Sequence, residues 1–196
     1  MTDLGHLHYF LGLQVLQSKE GISLSQSKYD CDILCHFHME YCKPTPSPFQ
    51  SGFKLSVTCT SPEVDATLYR QLVGKLLYLT HTCPNLYFVV GLVARFMKNP
   101  RESHWKEAKR IIHYVRGTVQ FEIHYSVEAT PLLVRFTDFD WASDPDDRKS
   151  IVSYVFTLGS RPTTWACKNQ GAISLSSVEE EYHGAVEASK EALWLR

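Results

Sequence analysis

The amino-acid sequence predicts a folded protein of the α+β or α/β class. Apolar and polar residues alternate near the start of the chain, a helical repeat of apolar residues fills its middle, and strand-like runs followed by one helix fill its last third. The 196 residues are 44% hydrophobic and 21% charged, which is typical of a globular chain and excludes a disordered one. This length suits one large domain or two small ones.

Residues 8–26 predict a β-hairpin. Residues 8–16 are rich in aromatic and apolar side chains, Lys19–Ile22 supplies a turn, and Ile22–Gln26 alternates apolar with polar residues. Ser27 is a candidate cap for a helix from about Lys28 to Met39. The apolar stripe expected on that helix consists of Tyr29, Ile33 and Phe37.

A connector rich in Ser, Thr and Pro follows at residues 43–64. Three prolines stand within five residues, at Pro44, Pro46 and Pro48. Proline has no backbone N–H and disfavours helix at the preceding residue, so the sequence predicts an extended connector here.

Three helices are predicted between residues 65 and 118, from capping residues and from apolar residues spaced three or four apart. They are expected to run from Asp65 or Thr67 to Thr80, from Pro84 to Phe96 or Met97, and from Ser103 to Val115, ending at Gly117. The apolar face expected on the first comprises Leu68, Leu72, Leu76 and Leu79, and that on the third comprises Trp105, Ala108, Ile112 and Val115.

Charge is distributed unevenly although the net charge is only -1. Residues 94–118 carry seven Lys/Arg against two Glu, whereas residues 119–196 carry seven Lys/Arg against twelve Asp/Glu. The third helix bears the candidate nucleic-acid-binding residues Lys106, Lys109, Arg110, His113 and Arg116. Such a face could follow a phosphate backbone, or it could be the solvated side of an amphipathic helix.

The last third predicts strands at Leu132–Asp138, Ile151–Leu158 and Thr163–Lys168, then a helix capped by Ser176 or Ser177 and running to Arg196. Residues 173–175 form a run too short to assign. Three carboxylates, Glu179, Glu180 and Glu181, are expected in the first turn of the helix, where its dipole favours negative charge.

Carboxylates at the end of the first of these strands suggest a metal site. Asp138 ends that strand and is followed by Asp140, Asp144, Asp146 and Asp147. Mg²⁺ prefers hard oxygen ligands, and a Glu from the closing helix could share an ion with Asp138. A solvated acidic loop and ordinary helix capping explain the same residues, so both interpretations stay open.

Six cysteines at irregular spacing, without a signal peptide, indicate reduced thiols in an intracellular protein. Cys31, Cys35, His36, His38 and Cys42 together match no known zinc-binding spacing, so buried thiols and surface histidines are the favoured interpretation. No apolar run reaches the roughly 18 residues that a membrane span requires, so no membrane partner is expected.

Many short motifs, in order along nearly the whole chain, resemble the Pol polyprotein of copia-type LTR retrotransposons. They include Met1-Thr-Asp-Leu-Gly5, His8-Tyr-Phe-Leu-Gly12, Leu24-Ser-Gln26, Cys42-Lys-Pro44, Tyr69-Arg-Gln-Leu-Val-Gly-Lys-Leu-Leu-Tyr-Leu-Thr80, Tyr114-Val-Arg-Gly-Thr118, Asp138-Phe-Asp-Trp-Ala142, Asp147-Arg-Lys-Ser150, Leu175-Ser-Ser177, Glu181-Tyr182 and Trp194-Leu-Arg196. The ordered series carries the resemblance, because no single motif is specific.

The resemblance implies a domain plan. Residues 1–42 would be the palm-end hairpin and helix of a reverse transcriptase, where the hairpin grips a primer terminus. Residues 43–64 would be a linker, and residues 65–118 would be thumb-like or connection helices that contact a template–primer duplex. Residues 131–196 would be an incomplete RNase H-like domain, a mixed sheet with a packed helix.

The resemblance also implies site residues and partners. Asp138 matches the first metal-binding Asp of RNase H, and Glu181 matches its helix Glu; both would be catalytic and would bind Mg²⁺ for cleavage of RNA in RNA–DNA hybrids. The basic helix would contact hybrid or duplex nucleic acid. Other segments of Pol are possible partners.

Departures from the family pattern predict a fragment without catalytic activity of its own. The polymerase motif Tyr-Val-Asp-Asp and the later RNase H aspartates of the family are absent, and two carboxylates hold two Mg²⁺ ions poorly. Whether the chain is an enzyme stays open at this point. The alternatives are a non-catalytic nucleic-acid-binding module and a truncated remnant without a function.

Overall fold

The computed structural model describes residues 5–50, 55–128, 130, 132–140, 146, 150–159, 161–169 and 177–195. These residues form a mixed α+β structure with five helices and two antiparallel sheets, which confirms the predicted mixed class at that level. The chain divides into two compact units, one of residues 1–53 with 60–131 and one of residues 54–59 with 132–196. Residues 54–59, inside the predicted linker, thus belong to the second unit.

The first unit contains a four-stranded sheet and four helices. The elements are β1 (Tyr9–Phe10), β2 (Leu13–Gln17), β3 (Gly21–Ser25), α1 (Ser27–His36), α2 (Ala66–Leu79), α3 (Pro84–Ala94), α4 (Glu102–Thr118) and β4 (Ile123–Ser126). The strand order is β1-β2-β3-β4, antiparallel throughout.

The predicted hairpin is present as β2 and β3, but a turn at Leu11–Gly12 splits its predicted first strand into β1 and β2. The sheet also contains a strand that the sequence did not predict. β4 pairs with β3, so that Leu24 lies opposite Ile123. The Ser23 hydroxyl, on β3, donates to Glu122 Oε1 at 2.9 Å and lies 2.9 Å from His124 Nδ1. This pairing fastens the start of the chain to the segment that leaves the last helix of the unit.

Helix α2 begins where the sequence predicted. The Asp65 carboxylate accepts hydrogen bonds from the backbone N–H groups of Thr67 at 2.7 Å and Leu68 at 3.3 Å, which satisfies two of the helix's otherwise unpaired donors. Its buried face consists of Tyr69, Leu72, Val73, Leu76 and Leu79. The prediction that Leu68 lies on this face is wrong, because its side chain is 40% exposed.

The predicted boundaries of α4 are wrong at both ends. Arg101, not Ser103, precedes the first turn, and the Arg101 backbone N–H donates to His104 Nδ1 at 3.1 Å. The His104 ring is fully buried and stacks on Phe96 with ring centroids 3.8 Å apart. Gly117 does not end the helix, which continues to Thr118 because a glycine weakens a helix without forbidding it.

The remaining helices begin close to the predicted residues and end earlier. Helix α3 starts at Pro84, as expected for proline in a first turn, and ends at Ala94 instead of Phe96 or Met97. Helix α1 ends at His36 instead of Met39, because His38 takes a left-handed backbone conformation at φ 54. Its buried residues are Asp30, Ile33 and Leu34, so the predicted stripe with Tyr29 and Phe37 is only partly right.

The second unit is a three-stranded antiparallel sheet with one packed helix. Its elements are β5 (Leu133–Asp140), β6 (Ile151–Leu158), β7 (Arg161–Asn169) and α5 (Ser177–Leu195), with strand order β5-β6-β7. The core between sheet and helix contains Tyr154, Phe156 and Ala188, with Ala166, Ala192 and Leu195 packed around them. The candidate cap Ser176 and the unassigned run at residues 173–175 lie outside the described residues.

Helix α1 buries a carboxyl group. The Asp30 side chain is only 6% exposed, and its Oδ1 atom has no hydrogen-bond partner among the described residues. Burial raises the pKa of this carboxyl from 3.8 to about 7. Burial, and then the charge of ionised Asp30, raise the pKa of the nearby Cys83 thiol. The Asp30 carboxyl is therefore neutral in the folded chain below about pH 7.

Replacing Asp30 with Asn should stabilise the protein at alkaline pH. Because the carboxyl ionises more readily in the unfolded chain, wild-type stability should fall as the pH rises from about 4 to about 7. Asp30→Asn removes that penalty, and we expect a free energy of unfolding higher by roughly 2–4 kcal/mol at pH 8. Urea unfolding of both proteins at pH 5 and pH 8 measures their free energies of unfolding. If Asp30→Asn kept the wild-type pH dependence, the raised pKa would not belong to Asp30.

Candidate nucleic-acid interface

Two of the five basic residues predicted as binding residues project from α4 into solvent. Lys106 is exposed and forms an ion pair with Glu102, Nζ to Oε1 2.9 Å, one turn earlier on the helix. Lys109 is also exposed, with its Nζ 5.2 Å from the centroid of the Trp105 ring. Exposed ion pairs of this kind are weak, so both ammonium groups can still meet a phosphate.

Arg110 is half-buried and lies beside a buried carboxylate. Burial raises the pKa of Glu107, and the neighbouring Arg110 guanidinium opposes that shift. The Arg110 Nε atom has no hydrogen-bond partner among the described residues. Part of its charge is therefore offset within the helix.

The last two predicted residues hold the proline-rich connector. His113 Nδ1 lies 2.8 Å from the Lys43 carbonyl oxygen, and the Thr45 N–H donates to the His113 carbonyl at 3.2 Å. Arg116 Nε donates to the Glu40 carbonyl oxygen at 2.7 Å. These contacts give His113 and Arg116 a structural use that the sequence pattern did not show.

A second basic surface lies on α2, which the sequence interpretation treated only as a packing helix. Its outward positions include Arg70, Gln71, Gly74 and Lys75, and a Cβ added at Gly74 would meet nothing within 4 Å. Residues 66–101 contain no Asp or Glu at all. They carry the basic residues Arg70, Lys75, Arg95, Lys98 and Arg101. Helix α2 itself carries no carboxylate, which favours the approach of a phosphate backbone.

The end of the sheet formed by β1 and the turn to β2 (Tyr9–Gly12, called the hairpin tip below) meets this helix. The Tyr78 hydroxyl, on α2, donates to the Leu11 carbonyl at the turn between β1 and β2. The Tyr78 ring packs edge-to-face on Tyr29 with centroids 4.7 Å apart, and Lys75 Nζ lies 5.9 Å from the Tyr29 centroid. Burial, then Tyr78 and Asp32, raise the pKa of the Tyr29 phenol, so it stays neutral. Aromatic and basic groups thus lie side by side.

Beyond this contact the tip is exposed and apolar. Tyr9 is 58%, Phe10 55% and Leu11 78% accessible to solvent. Exposed aromatic rings beside basic residues are the usual components of surfaces that stack on nucleobases while binding the backbone. The sequence signal for this surface is the absence of acidic residues from residues 66–101. The charge count began at residue 94, inside this stretch, and therefore missed it.

The two predicted metal ligands lie in the second unit on different elements. Asp138 is exposed near the end of β5, opposite Ser153 of β6. The neighbouring pair Thr137 and Tyr154 faces α5, because Tyr154 belongs to the core beneath that helix. Since adjacent strand residues point to opposite faces, Asp138 faces away from α5.

Glu181 is exposed on α5, in its second turn and not in the first as predicted. The structure therefore does not bring Asp138 and Glu181 together on one face of the sheet. Among the described residues, no group of three His, Cys, Asp or Glu side chains is placed to hold a metal ion. The acidic residues Asp144 and Asp147 lie outside the described residues.

Asp146, the described residue of the acidic loop, binds the chain itself. It accepts hydrogen bonds from the Ser56 hydroxyl at 2.6 Å and from the Val57 N–H at 2.9 Å. All six cysteines are free thiols, with Cys31 and Cys35 exposed on α1. The Cys35 thiol donates a hydrogen bond to the Glu40 carboxylate, and this bond, followed by the charge of Glu40, raises the pKa of the thiol. No helix within the described ranges combines the length and the apolar character needed to cross a membrane.

Fold and surface together define a mixed α+β protein whose first unit presents a basic helix without acidic residues beside an aromatic hairpin tip. The chain is 36% identical, over its whole length, to the retrovirus-related Pol polyprotein from transposon RE1 of Arabidopsis thaliana, and covers 13% of that protein. It is 35% identical over its whole length to the corresponding polyprotein from transposon TNT 1-94 of Nicotiana tabacum, and covers 15% of it.

An uncharacterized mitochondrial protein of Arabidopsis thaliana is 34% identical over 99% of this chain, which covers 80% of that relative. No family model matches the chain, and no solved structure matches it. The chain belongs to the family of retrovirus-related Pol polyproteins from transposons. It spans only about an eighth of the length of the Pol relatives, about 13% for RE1 and RE2.

Removing the side chains that hold the connector should open it to proteolysis. The double variant His113→Ala, Arg116→Ala loses two hydrogen bonds to the backbone of residues 40–43, each contributing about 1 kcal/mol. We expect chymotryptic cleavage at Tyr41 or Phe49 to accelerate roughly tenfold or more. The matched control is Lys106→Ala, Lys109→Ala, and equal cleavage rates in the two variants would show that the contacts do not hold the connector.

Proposed function

We propose that this chain is part of a copia-type reverse transcriptase–RNase H polyprotein, and that its own activity is non-catalytic binding of duplex nucleic acid, preferably an RNA–DNA hybrid. The observation that carries the proposal is the surface of the first unit formed by the outward face of α2 and the exposed hairpin tip, referred to below as the α2–tip surface. Membership of the Pol family supports it.

The chemistry of the α2–tip surface fits a duplex. Arg70 and Lys75 can bind phosphates, and Gly74 between them leaves room for a backbone to approach closely. Tyr9 and Phe10 offer exposed rings for stacking on unpaired or terminal bases. Such a surface reads backbone shape and base stacking, so we expect little sequence preference.

Hybrid cleavage is not part of the proposal, because the described carboxylates do not fit a shared metal. In the parent family Asp138 and Glu181 would hold Mg²⁺, which activates water and stabilises the charge that develops on the phosphate. Here alternation along β5 directs Asp138 to the sheet face opposite α5, which carries Glu181.

Binding should depend on salt and on the outward face of α2. For wild-type protein, the logarithm of the association constant for an RNA–DNA hybrid should fall linearly with the logarithm of the salt concentration. The variant Arg70→Ala, Lys75→Ala should bind more weakly, with a slope smaller in magnitude by about two, one for each lost phosphate contact. Fluorescence anisotropy of a labelled hybrid at several salt concentrations measures both.

The matched variant for that experiment is Lys106→Ala, Lys109→Ala on the basic face of α4. We expect it to bind nearly as well as wild type. If the α4 variant loses binding and the α2 variant does not, the interface is the basic face of α4, including Arg110, His113 and Arg116. If a cooperatively folded wild-type chain binds no nucleic acid at low salt, the proposed function is wrong.

The folded chain should not cleave the RNA strand of an end-labelled RNA–DNA hybrid in Mg²⁺ or Mn²⁺. The reason is the placement of Asp138 and Glu181 on opposite sides of the sheet. Gel analysis of wild type beside Asp138→Asn tests this, with the variant as control for contaminating nuclease. Cleavage by wild type that disappears in Asp138→Asn would overturn the non-catalytic assignment.

A further inference from the structure

We infer that Tyr78 is a positioning residue, which fixes the hairpin tip (Tyr9–Gly12) in the geometry used to contact nucleic acid; the inference rests on the proposed function of the α2–tip surface. The Tyr78 hydroxyl donates to the Leu11 carbonyl, and this hydrogen bond joins the middle of the tip to α2. Tyr78 acts on the ligand only through the tip, not by touching it.

The backbone of the tip needs such an anchor. Leu11 adopts φ 49, in the left-handed region that residues other than glycine rarely occupy because their Cβ crowds the backbone there. Gly12 follows at φ 81, also left-handed. A Cβ added at Gly12 would overlap the Tyr78 hydroxyl oxygen, so the helix and the turn are in direct contact there.

Burial cannot supply this anchoring. The side chains of Tyr9, Phe10 and Leu11 are each more than half exposed, so they gain little from packing within the unit. β1 contains only two residues, paired with Leu13 and Gln14 of β2. A short hairpin end with apolar, exposed side chains would move freely without a contact to a rigid element.

Tyr78 is itself held firmly. Its ring packs edge-to-face on Tyr29 of α1 at 4.7 Å and lies 5.7 Å from the His81 ring. Its carbonyl accepts a hydrogen bond from the buried Gln26 side chain at 3.4 Å, and Gln26 in turn accepts one from the Thr82 hydroxyl at 2.6 Å. The packed interior of the unit thus fixes the position of Tyr78, and Tyr78 in turn fixes the position of the tip.

The test compares Tyr78→Phe with Tyr114→Phe. Both remove one tyrosine hydroxyl, and that of Tyr114 is hydrogen-bonded to the Asn85 side chain, Nδ2 to Oη 3.3 Å, away from the tip. The probe is an RNA–DNA hybrid with a recessed DNA 3′ end that carries 2-aminopurine as its last base; a blunt hybrid of the same length serves beside it. All variants are first shown by circular dichroism to be folded.

We expect Tyr78→Phe to weaken binding of the recessed-end hybrid about tenfold and to abolish the change in 2-aminopurine fluorescence on binding. Affinity for the blunt hybrid should stay within about twofold, because phosphate contacts on α2 remain. Tyr114→Phe should match wild type in every assay. Equal behaviour of the two variants toward the recessed end would overturn the inference.

A second pair of measurements separates this inference from the proposed function. Amide hydrogen exchange at Leu11–Leu13 should accelerate in Tyr78→Phe even without nucleic acid. Unchanged exchange overturns the inference, whereas failure of wild type to bind any hybrid overturns the proposed function.

Discussion

The pairing of β3 with β4 is the constraint on which the first unit depends. It places Leu24 opposite Ile123 and joins segments about a hundred residues apart in the chain, as the hydrogen bond between Ser23 and Glu122 illustrates. A two-strand hairpin alone is marginally stable in water. Pairing with β4 makes the β2–β3 hairpin part of a four-stranded sheet. The tip between β1 and β2, in the same sheet, reaches Tyr78 on α2.

Whether a basic side chain of the first unit can bind a phosphate depends on the contacts that it already makes within the protein. On α4, Lys106 is paired with Glu102, and Arg110 lies beside Glu107. His113 on the same helix contacts the Lys43 carbonyl oxygen at the start of the connector, and Arg116 contacts that of Glu40 just before it. The outward face of α2 carries no acidic residue, although Arg70 there donates to the Met97 carbonyl oxygen at 3.2 Å. Counting charges along a sequence finds the cations but does not show which of them already contact the protein.

The second unit illustrates how strand register limits chemistry. β5 and β6 pair without interruption from Leu133 to Asp140, and this register fixes which side chains face α5. A one-residue slip would exchange the two faces of β5 and turn Asp138 toward α5. A motif in sequence reports the residue types of a site, but the pairing of neighbouring strands decides whether two carboxylates can meet.

Elements that rest on local chemistry could be predicted from the amino-acid sequence alone. Asp65 caps α2, Pro84 opens α3, and Ile151–Leu158 forms a strand over the range predicted from its apolar residues, because capping, fixed φ and side-chain alternation act within a few residues. The ordered motifs also sufficed to recognise the Pol family. Only the tertiary structure decided the β4 pairing, the use of His113 and Arg116 on the connector, the α2–tip surface and the face on which Asp138 lies. Each of these depends on contacts between residues distant in the chain or on strand register, which no local pattern encodes.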